Sequence, residues 1–327
     1  MKRRDFIALC GSAVVALPVL AAAQQAGRLP TVGYLWHAGN ADEEKPYYEA
    51  LIDAFAKLGY VDGRNFRLLH RFPNEIPENF RTMAAELASL NVDVLMGGSA
   101  STPYLKAATS TIPIVFMFIP DPVGLKYVQS LARPGGNMTG LSNFGRDLAG
   151  KRLHLLKELV PGLSRVGFLV NSSLPATRMY IDVMTTAASE LQLELQMFEA
   201  GAVGEMEPAF DRMLKAGMQA ATIAQSGSAF QARNINPKLA LDRRIPLCAY
   251  SRETFEAGAL VAYGPVPVES LRRSVTYADK ILKGEKPAAI PVEQPTKFEL
   301  LINMKTAKTL GLSVPQALLV SASEVIE

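Results

Sequence analysis

The sequence predicts an α/β fold of two similar lobes, each a parallel sheet flanked by helices on both faces. Short apolar runs alternate with amphipathic stretches along the chain, which is the pattern of βαβ units. The string Thr31-Val-Gly-Tyr-Leu recurs as Arg165-Val-Gly-Phe-Leu, and Thr111-Ile-Pro-Ile-Val-Phe recurs as Arg244-Ile-Pro-Leu-Cys-Ala. The two repeats occur in the same order at offsets of 134 and 133 residues, which indicates duplicated lobes.

Each strand is predicted from a short run of aliphatic and β-branched residues bounded by turn residues. The predicted strands are residues 31–36, 66–70, 92–96, 114–118, 165–171, 194–198, 220–224, 246–250 and 260–263. Between them, apolar residues recur with a helical period. The predicted helices are residues 45–58, 76–90, 103–109, 123–131, 148–159, 176–191, 205–216 and 268–282.

The first twenty-three residues predict a secretory signal. A basic cluster at residues 2–4 precedes an apolar run over residues 8–20 and then Ala21-Ala22-Ala23. This run is too short to cross a bilayer, which takes about 20 helical residues. The pair Arg3-Arg4 resembles the twin-arginine export motif, and an ordinary Sec signal that carries two arginines is the alternative. Either route predicts a periplasmic protein that is cleaved near Ala23.

Composition and charge exclude several classes of protein. Removal of the predicted signal takes away three basic residues and one acidic residue, so the formal net charge falls from +3 to about +1. Nucleic-acid-binding proteins concentrate basic charge on one face, and therefore no nucleic-acid partner is expected. Cys10 lies in the predicted signal and Cys248 remains, which excludes an intramolecular disulfide in the mature chain. The expected protein is a freely diffusing monomer.

Turn residues mark the boundary between the lobes. The string Arg133-Pro-Gly-Gly-Asn-Met-Thr-Gly contains glycines that can adopt positive φ, and it precedes the helix predicted at 148–159. The tail after Tyr263 holds one helix and a proline-spaced extended segment, too little for a third domain. We therefore expect the chain to recross. The N-terminal lobe is predicted as residues 28–142 with 265–290, and the C-terminal lobe as 143–264 with 291–327.

Several strings resemble those of one protein family across essentially the whole mature chain. The most specific are Arg133-Pro-Gly-Gly-Asn and Gln294-Pro-Thr-Lys-Phe-Glu, and others are Leu58-Gly-Tyr-Val-Asp-Gly-Arg-Asn and Lys151-Arg-Leu-His-Leu-Leu-Lys-Glu. The family is that of ABC transporter substrate-binding proteins whose better-known members capture aromatic amino acids. The resemblance implies a type I periplasmic binding protein: two Rossmann-like lobes, a hinge of three strands and a ligand in the cleft. Ligand identity does not carry over with the fold.

In open α/β sheets, ligands bind beyond the carboxyl ends of the strands. The first predicted strand ends at Trp36 and His37. Trp36 is expected either to stack on a flat ligand or to pack under the loop 38–45. His37 is a second ligand-binding candidate, and the alternative for a lone histidine beside a cleft is a hydrogen bond within its loop. The third strand ends in a glycine-rich turn, whose helix N-terminus predicts donors for a ligand carboxylate or, alternatively, a plain capped turn. Those donors are Ser99, Ala100, Ser101 and Thr102.

Other strand ends supply further candidates. Asp121 follows the fourth strand, where it can cap a helix or pair with a ligand ammonium group. In the C-terminal lobe the polar residues at the strand ends are Asn171, Gln225, Ser226, Tyr250 and Arg252. The residues at the predicted crossovers are Ser142, Asn143 and Tyr263, which are expected to line the cleft floor or to satisfy hinge backbone groups.

The sequence lacks the motifs of enzymes. Its three histidines, His37, His70 and His154, are far apart and have no metal-binding spacing. Ser99 stands in Gly-Gly-Ser-Ala-Ser, which departs from the Gly-x-Ser-x-Gly nucleophile motif. Cys248 lies inside an apolar strand, where a buried and inert thiol is expected. The chain is therefore predicted to have no catalytic residue, metal or cofactor.

The predicted function is capture of a small solute between the lobes. Aromatic residues and one carboxylate clamp indicate an aromatic or branched amino acid, or a simple aromatic acid. The resemblance implies an ABC permease in the inner membrane as the partner. Closure would be a hinge motion around the ligand. The alternatives are a ligand-sensing periplasmic receptor for a signalling partner, or a hydrolase on the same two-lobed frame.

Overall fold

The computed structural model describes residues 28–143 and 145–327. The predicted signal and its cleavage site lie outside these residues. Over the described chain, strands and helices alternate and form two sheets, one of five strands and one of seven. In this part of the chain no helix is both long enough and apolar enough to cross a membrane. The predicted α/β class is confirmed.

The first sheet is entirely parallel and has the strand order β2-β1-β3-β4-β5. Its strands are β1 (Thr31–Leu35), β2 (Arg67–Arg71), β3 (Val94–Gly97), β4 (Ile114–Ile119) and β5 (Met138–Ser142). The connecting helices are α1 (Tyr47–Lys57), α2 (Pro77–Ser89) and α3 (Thr102–Ala108). The central strands are apolar and buried along their length because helices cover both faces of the sheet.

The second sheet has the order β12-β11-β10-β9-β8-β6-β7. Its strands are β6 (Arg165–Val170), β7 (Glu194–Glu199), β8 (Ala220–Ile223), β9 (Leu247–Ala249), β10 (Val261–Pro265), β11 (Phe298–Asn303) and β12 (Glu324–Ile326). One pair departs from the predicted parallel sheet, because β11 runs antiparallel to β10. The chain leaves this sheet at the end of β10 and returns at that same end, so its next strand must run in the opposite direction.

The helices of the second half flank this sheet, with one exception. They are α4 (Gly145–Leu159), α5 (Pro175–Glu190), α6 (Met206–Lys215), α7 (Gly227–Gln231), α8 (Asn236–Asp242), α9 (Arg252–Glu256), α11 (Met304–Leu310) and α12 (Gln316–Ser321). The exception is α10 (Pro267–Leu282), which packs on β3, β4, β5 and α1 of the first sheet. Its Leu271 and Val275 belong to the same apolar cluster as Val94 and Val115.

The chain therefore passes between the two sheets three times. The last crossing pairs with the first, because Leu141 and Glu293 form a parallel bridge and the Ser142 N–H donates to the Glu293 carbonyl at 2.9 Å. We propose residues 28–142 with 265–290 and 143–264 with 291–327 as the two lobes.

The helix predicted at 123–131 is wrong. The segment instead forms consecutive turns, in which the N–H groups of Leu125 and Lys126 donate to the carbonyls of Asp121 and Val123. Lys126 has φ of 56°, which ends any continuous helix there. The short helices α7, α8 and α9 were not predicted, because five to seven residues are too few to show a helical period.

Candidate ligand-binding site

The carboxyl ends of strands in both sheets border a cavity of about 110 Å³. Both lobes contribute to its wall, which is mainly apolar and aromatic with a few polar groups. The predicted site residues that line it are Trp36, His37, Ser99, Ala100, Ser101, Asn143, Gln225, Ser226 and Tyr250. Residues that were not predicted also line it, among them Glu44, Tyr47, Phe118, Arg152 and Phe230.

Arg152 brings a buried positive charge to the cavity from helix α4. The residue is only 4% exposed, and its Nε donates to the Tyr263 carbonyl at 2.9 Å. Burial lowers the pKa of the guanidinium, and the neighbouring ionisable groups are Cys248 and three tyrosines. No described carboxylate pairs with it. A buried cation is costly unless it is paired, so this arrangement favours an anionic group in the cavity.

The glycine-rich turn after β3 uses some of its donors internally. Ser101 Oγ donates to the Trp36 carbonyl at 2.8 Å, and Thr102 Oγ1 donates to the Gly98 carbonyl at 2.7 Å. The backbone N–H groups of these two residues also donate to the Gly98 carbonyl. Ser99 and Ala100 line the cavity, and no described residue accepts from their N–H groups. Of the four predicted carboxylate donors, Ser99 and Ala100 are therefore the two whose backbone N–H groups have no acceptor among the described residues.

Trp36 packs into an aromatic cluster at the edge of the cavity. Its ring contacts Tyr48, His70 and Phe72, and its Nε1 donates to His70 Nδ1 at 3.0 Å. Burial lowers the pKa of His70 to about 4, so the imidazole is neutral at neutral pH and its Nδ1 can accept. Trp36 is only 3% exposed and also lines the cavity, so its ring packs in this cluster while it borders the site.

His37 is held between two carboxylates beside the cavity. Its Nε2 lies 3.3 Å from Glu44 Oε2, and its Nδ1 lies 2.9 Å from Glu75 Oε1. Burial disfavours the imidazolium, but the charge of Glu44 and the contact with Glu75 outweigh this effect, and they raise the His37 pKa to about 9. His37 is thus positively charged at neutral pH, and its ring meets the edge of Phe230 from the opposite lobe.

We expect His37 to make stability depend on pH. The folded-state pKa of about 9 lies above the ordinary histidine value of 6.5, so the stabilisation is complete below pH 6.5 and is lost as pH rises through 9. His37→Gln should lower the free energy of unfolding by about 1–3 kcal/mol at pH 6, with the difference vanishing above pH 9. Urea unfolding of wild type and His37→Gln from pH 6 to above pH 9 measures this difference in free energy. His154→Gln, at an exposed position, is the control. A difference that is constant with pH would contradict the prediction.

The C-terminal lobe supplies neutral polar groups to the cavity. Asn143 Nδ2 donates to Gln225 Oε1, and this contact links the first crossover to the tip of β8. Ser226 caps α7, since its Oγ accepts from the Ala229 N–H at 3.1 Å. The Tyr250 hydroxyl donates to the Ser226 carbonyl at 3.4 Å. Each of these side chains has a hydrogen-bond partner within the protein, which fixes its position in the wall.

Two charged candidates lie away from the cavity lining because nearby groups hold them. Asp121 Oδ1 accepts from the Gly124 N–H at 2.8 Å, as expected for a capping residue. The Arg252 guanidinium binds Glu299 and Glu324, each at 2.6 Å, and the hydrogen bond to Glu299 raises the pKa of Arg252. Neither residue is brought to the site in this structure.

Three further candidates have structural roles outside the lining. Ser142 is buried in β5, and its N–H donates across the crossover. Asn171 Oδ1 accepts from the Ser173 N–H at 3.1 Å, so it orders the turn before α5. Tyr263 stacks on Phe298, and its carbonyl accepts from the Arg152 guanidinium.

The lobes contact each other directly beside the cavity. Tyr47 of α1 donates from its hydroxyl to Glu253 Oε1 of α9 at 2.7 Å. Arg233 Nη2 donates to the Glu43 carbonyl at 3.3 Å. Phe230, on α7 of the second half, packs within the apolar cluster of the first sheet, with its ring 5.4 Å from that of Tyr47. The structure therefore has a closed arrangement of the two lobes.

Comparisons with known proteins agree with this architecture. The sequence model of a family described as "ABC transporter substrate binding protein" matches residues 40–326. A "Tyrosine-binding protein" of Clostridioides difficile (strain R20291) is 26% identical over 269 residues, which cover 81% of this chain and 76% of that relative.

Several solved structures have a fold similar to that of this chain. An ABC domain in complex with L-Trp from Streptococcus pneumonia has a TM-score of 0.82 at 23% identity, with 91% of this chain and all of the other (100%) covered. A conserved domain protein from Vibrio cholerae has a TM-score of 0.84 at 23% identity, with 90% and 99% covered. A ligand-free, open substrate-binding protein from Clostridium difficile has a TM-score of 0.63 at 23% identity, with 91% and 99% covered. These likenesses show the fold, that of the type I periplasmic binding proteins.

Proposed function

The chain belongs to the ABC transporter substrate-binding protein family, and from this premise we propose that it captures a small carboxylate-bearing ligand between its lobes. The ligand is then delivered to a permease in the inner membrane. In this proposal the protein is periplasmic and acts as a monomer. It is a binding protein rather than an enzyme, in keeping with its family.

The observation that carries the proposal is the guanidinium of Arg152. It is buried and lines the cavity, and no described carboxylate neutralises it. A ligand carboxylate would provide the missing counter-charge and form charge-assisted hydrogen bonds, the strong class of such bonds. The N–H groups of Ser99 and Ala100 would supply further donors from the opposite lobe. Because the two sets of donors belong to different lobes, one carboxylate held by both would favour the closed form.

The remainder of the wall indicates the body of the ligand. Tyr47, Phe118, Phe230 and Tyr250 offer apolar and aromatic surface to the cavity. A tyrosine-binding relative and a tryptophan-bound structural neighbour are consistent with such a body. We therefore propose an aromatic or branched amino acid, or an aromatic acid, as the ligand. Asp121, which the sequence suggested as the ammonium partner, is held by Gly124 and has no part in this proposal.

Titration calorimetry of the mature protein, purified without refolding, tests the proposal. The probes are phenylalanine, tyrosine, leucine, benzoate and a hexose. We expect heat of binding from at least one carboxylate and none from the hexose. Tight hexose binding without a response to any carboxylate would overturn the proposal. Comparison of phenylalanine with benzoate then shows whether an α-ammonium group contributes.

A further inference from the structure

Phe118 has a backbone conformation that aromatic residues rarely adopt. It lies in β4 with φ of 61°, in the left-handed region, whereas the other described non-glycine residues with positive φ lie in turns and loops. Such a conformation is unfavourable for a bulky L-residue and persists only where the surrounding structure enforces it. Strained residues of this kind concentrate at ligand-binding and active sites.

A bulge between β4 and β5 enforces this conformation. Phe116 pairs with Gly140, but Ile119 pairs with Ser142, so two residues of β4 stand opposite one residue of β5. Gly140 has φ of 149°, and a Cβ on it would lie 1.9 Å from the Phe116 carbonyl oxygen. Only glycine permits this close approach of the two strands.

The bulge changes the side of the sheet to which Phe118 points. In a regular strand, residues 116 and 118 would share one face. Here Phe116 packs in one apolar cluster, while Met117 and Phe118 both pack against the other. As a result Phe118 lines the cavity and is only partly buried, although a large apolar ring is usually buried in full.

The surroundings of the ring leave one side open to a ligand. Tyr47 meets it in an edge-on arrangement with the ring centroids 6.1 Å apart. A Cβ added to Gly98 would lie 3.7 Å from Phe118 Cδ2, so this glycine keeps the ring free of a neighbouring side chain. An aromatic ligand could pack on that ring in the offset or edge-on geometries that aromatic pairs prefer.

We propose that Phe118 is a specificity-determining residue, which the bulge turns into the cavity to select ligands with a flat aromatic body. The inference rests on the proposed function, because it concerns the same cavity. In the sequence Phe118 is the last residue of an ordinary apolar strand. Its role arises from the pairing of β4 with the glycine of β5.

Calorimetry with L-phenylalanine and L-leucine tests the inference in Phe118→Leu and Phe118→Gly. We expect both variants to bind phenylalanine at least tenfold more weakly than wild type, while leucine affinity changes less than threefold. Phe118→Gly should also have a ligand-free thermal midpoint at or above that of Phe118→Leu, because glycine adopts positive φ without strain. Phe72→Leu is the control, since Phe72 lies in the aromatic cluster and outside the cavity lining.

The outcomes separate the two proposals. If wild type binds carboxylates but the ratio of phenylalanine to leucine affinity is the same in the Phe118 variants, this inference is wrong and the proposed function stands. If wild type binds leucine more tightly than phenylalanine, the inference about Phe118 is also wrong and the proposed function still stands. If wild type binds no carboxylate, the proposed function itself fails, and the inference fails with it.

Discussion

Replacement of Arg152 by methionine is expected to weaken the binding of a carboxylate ligand by at least 100-fold, or about 3 kcal/mol. The ligand carboxylate would lose its charge-assisted hydrogen bonds and would be buried without a counter-charge. Methionine fills much of the same space with an unbranched apolar chain, so the cavity should keep its shape. Titration calorimetry with the best carboxylate of the probe panel measures the effect.

The stability of the ligand-free variant separates a binding role from a structural one. Among the described residues, Arg152 makes one hydrogen bond, to the Tyr263 carbonyl, and none of them is a carboxylate that pairs with its buried charge. Removal of that charge should therefore leave the thermal midpoint unchanged or raise it. Arg252→Met is the matched control, because Arg252 binds Glu299 and Glu324 outside the cavity lining. Arg252→Met should lose stability and retain affinity, whereas Arg152→Met should lose affinity and retain stability.

Two results would contradict the assignment of Arg152. Unchanged carboxylate affinity in Arg152→Met would show that the ligand anion is held elsewhere. A large drop in ligand-free stability, with affinity reduced only in proportion to unfolding, would show that the guanidinium supports the fold. Arg152→Lys adds a finer measurement, since lysine keeps the charge but lacks the planar fork, and we expect it to restore only part of the affinity.

The fold could be predicted because its signals are local and repeated. Each apolar strand and each amphipathic helix carries its own period, and the recurrence of Thr31-Val-Gly-Tyr-Leu at residue 165 showed the duplication without any long-range information. The antiparallel placement of β11 (Phe298–Asn303) carries no such signal. The direction of β11 depends on which end of the second sheet the chain re-enters after α10. That end is set by how the chain connects the two lobes, which a short sequence window does not show.

The site was only partly predictable because strand ends are not its only source of residues. The rule that ligands bind beyond strand ends led to His37, Ser99 and Gln225. Arg152 lies on a helix, and its signal was a charged residue at an apolar position. Leu148 and Leu156, one turn before and after it on the same helix face, are both buried. A lone arginine within such a stripe indicates a buried charge, which is costly unless a partner or a ligand neutralises it.

Other candidates were displaced by local hydrogen bonds that the sequence does not specify uniquely. Thr102 and Asp121 have side chains suited both to a ligand and to a neighbouring backbone group. In the structure Thr102 donates to the Gly98 carbonyl, and Asp121 accepts from the Gly124 N–H. Phe118 is the converse case. Its apolar side chain suggested only core packing, and its position in the cavity depends on a residue 22 positions later in the chain, Gly140.

Gly140→Ala is expected to be among the most destabilising single substitutions in the described chain. Its Cβ would lie 1.9 Å from the Phe116 carbonyl oxygen, a backbone atom between two paired strands that cannot move aside as a side chain would. The φ of 149° adds strain for any L-residue. The steric contact and the backbone strain together are expected to lower the free energy of unfolding by roughly 3 kcal/mol or more. Chemical denaturation of the purified variant measures this loss.

Gly136→Ala provides the matched control, because it makes the same chemical change four residues earlier in the chain. A Cβ at Gly136 meets nothing within 4 Å, so this variant should unfold like wild type. Equal stability of the two variants would show that the strands can separate at Gly140 without loss, and the bulge would then not depend on this glycine. If Gly140→Ala remains folded but relaxes the bulge, its phenylalanine affinity should fall along with that of the Phe118 variants, because the position of the ring and the close approach of the strands have one structural cause.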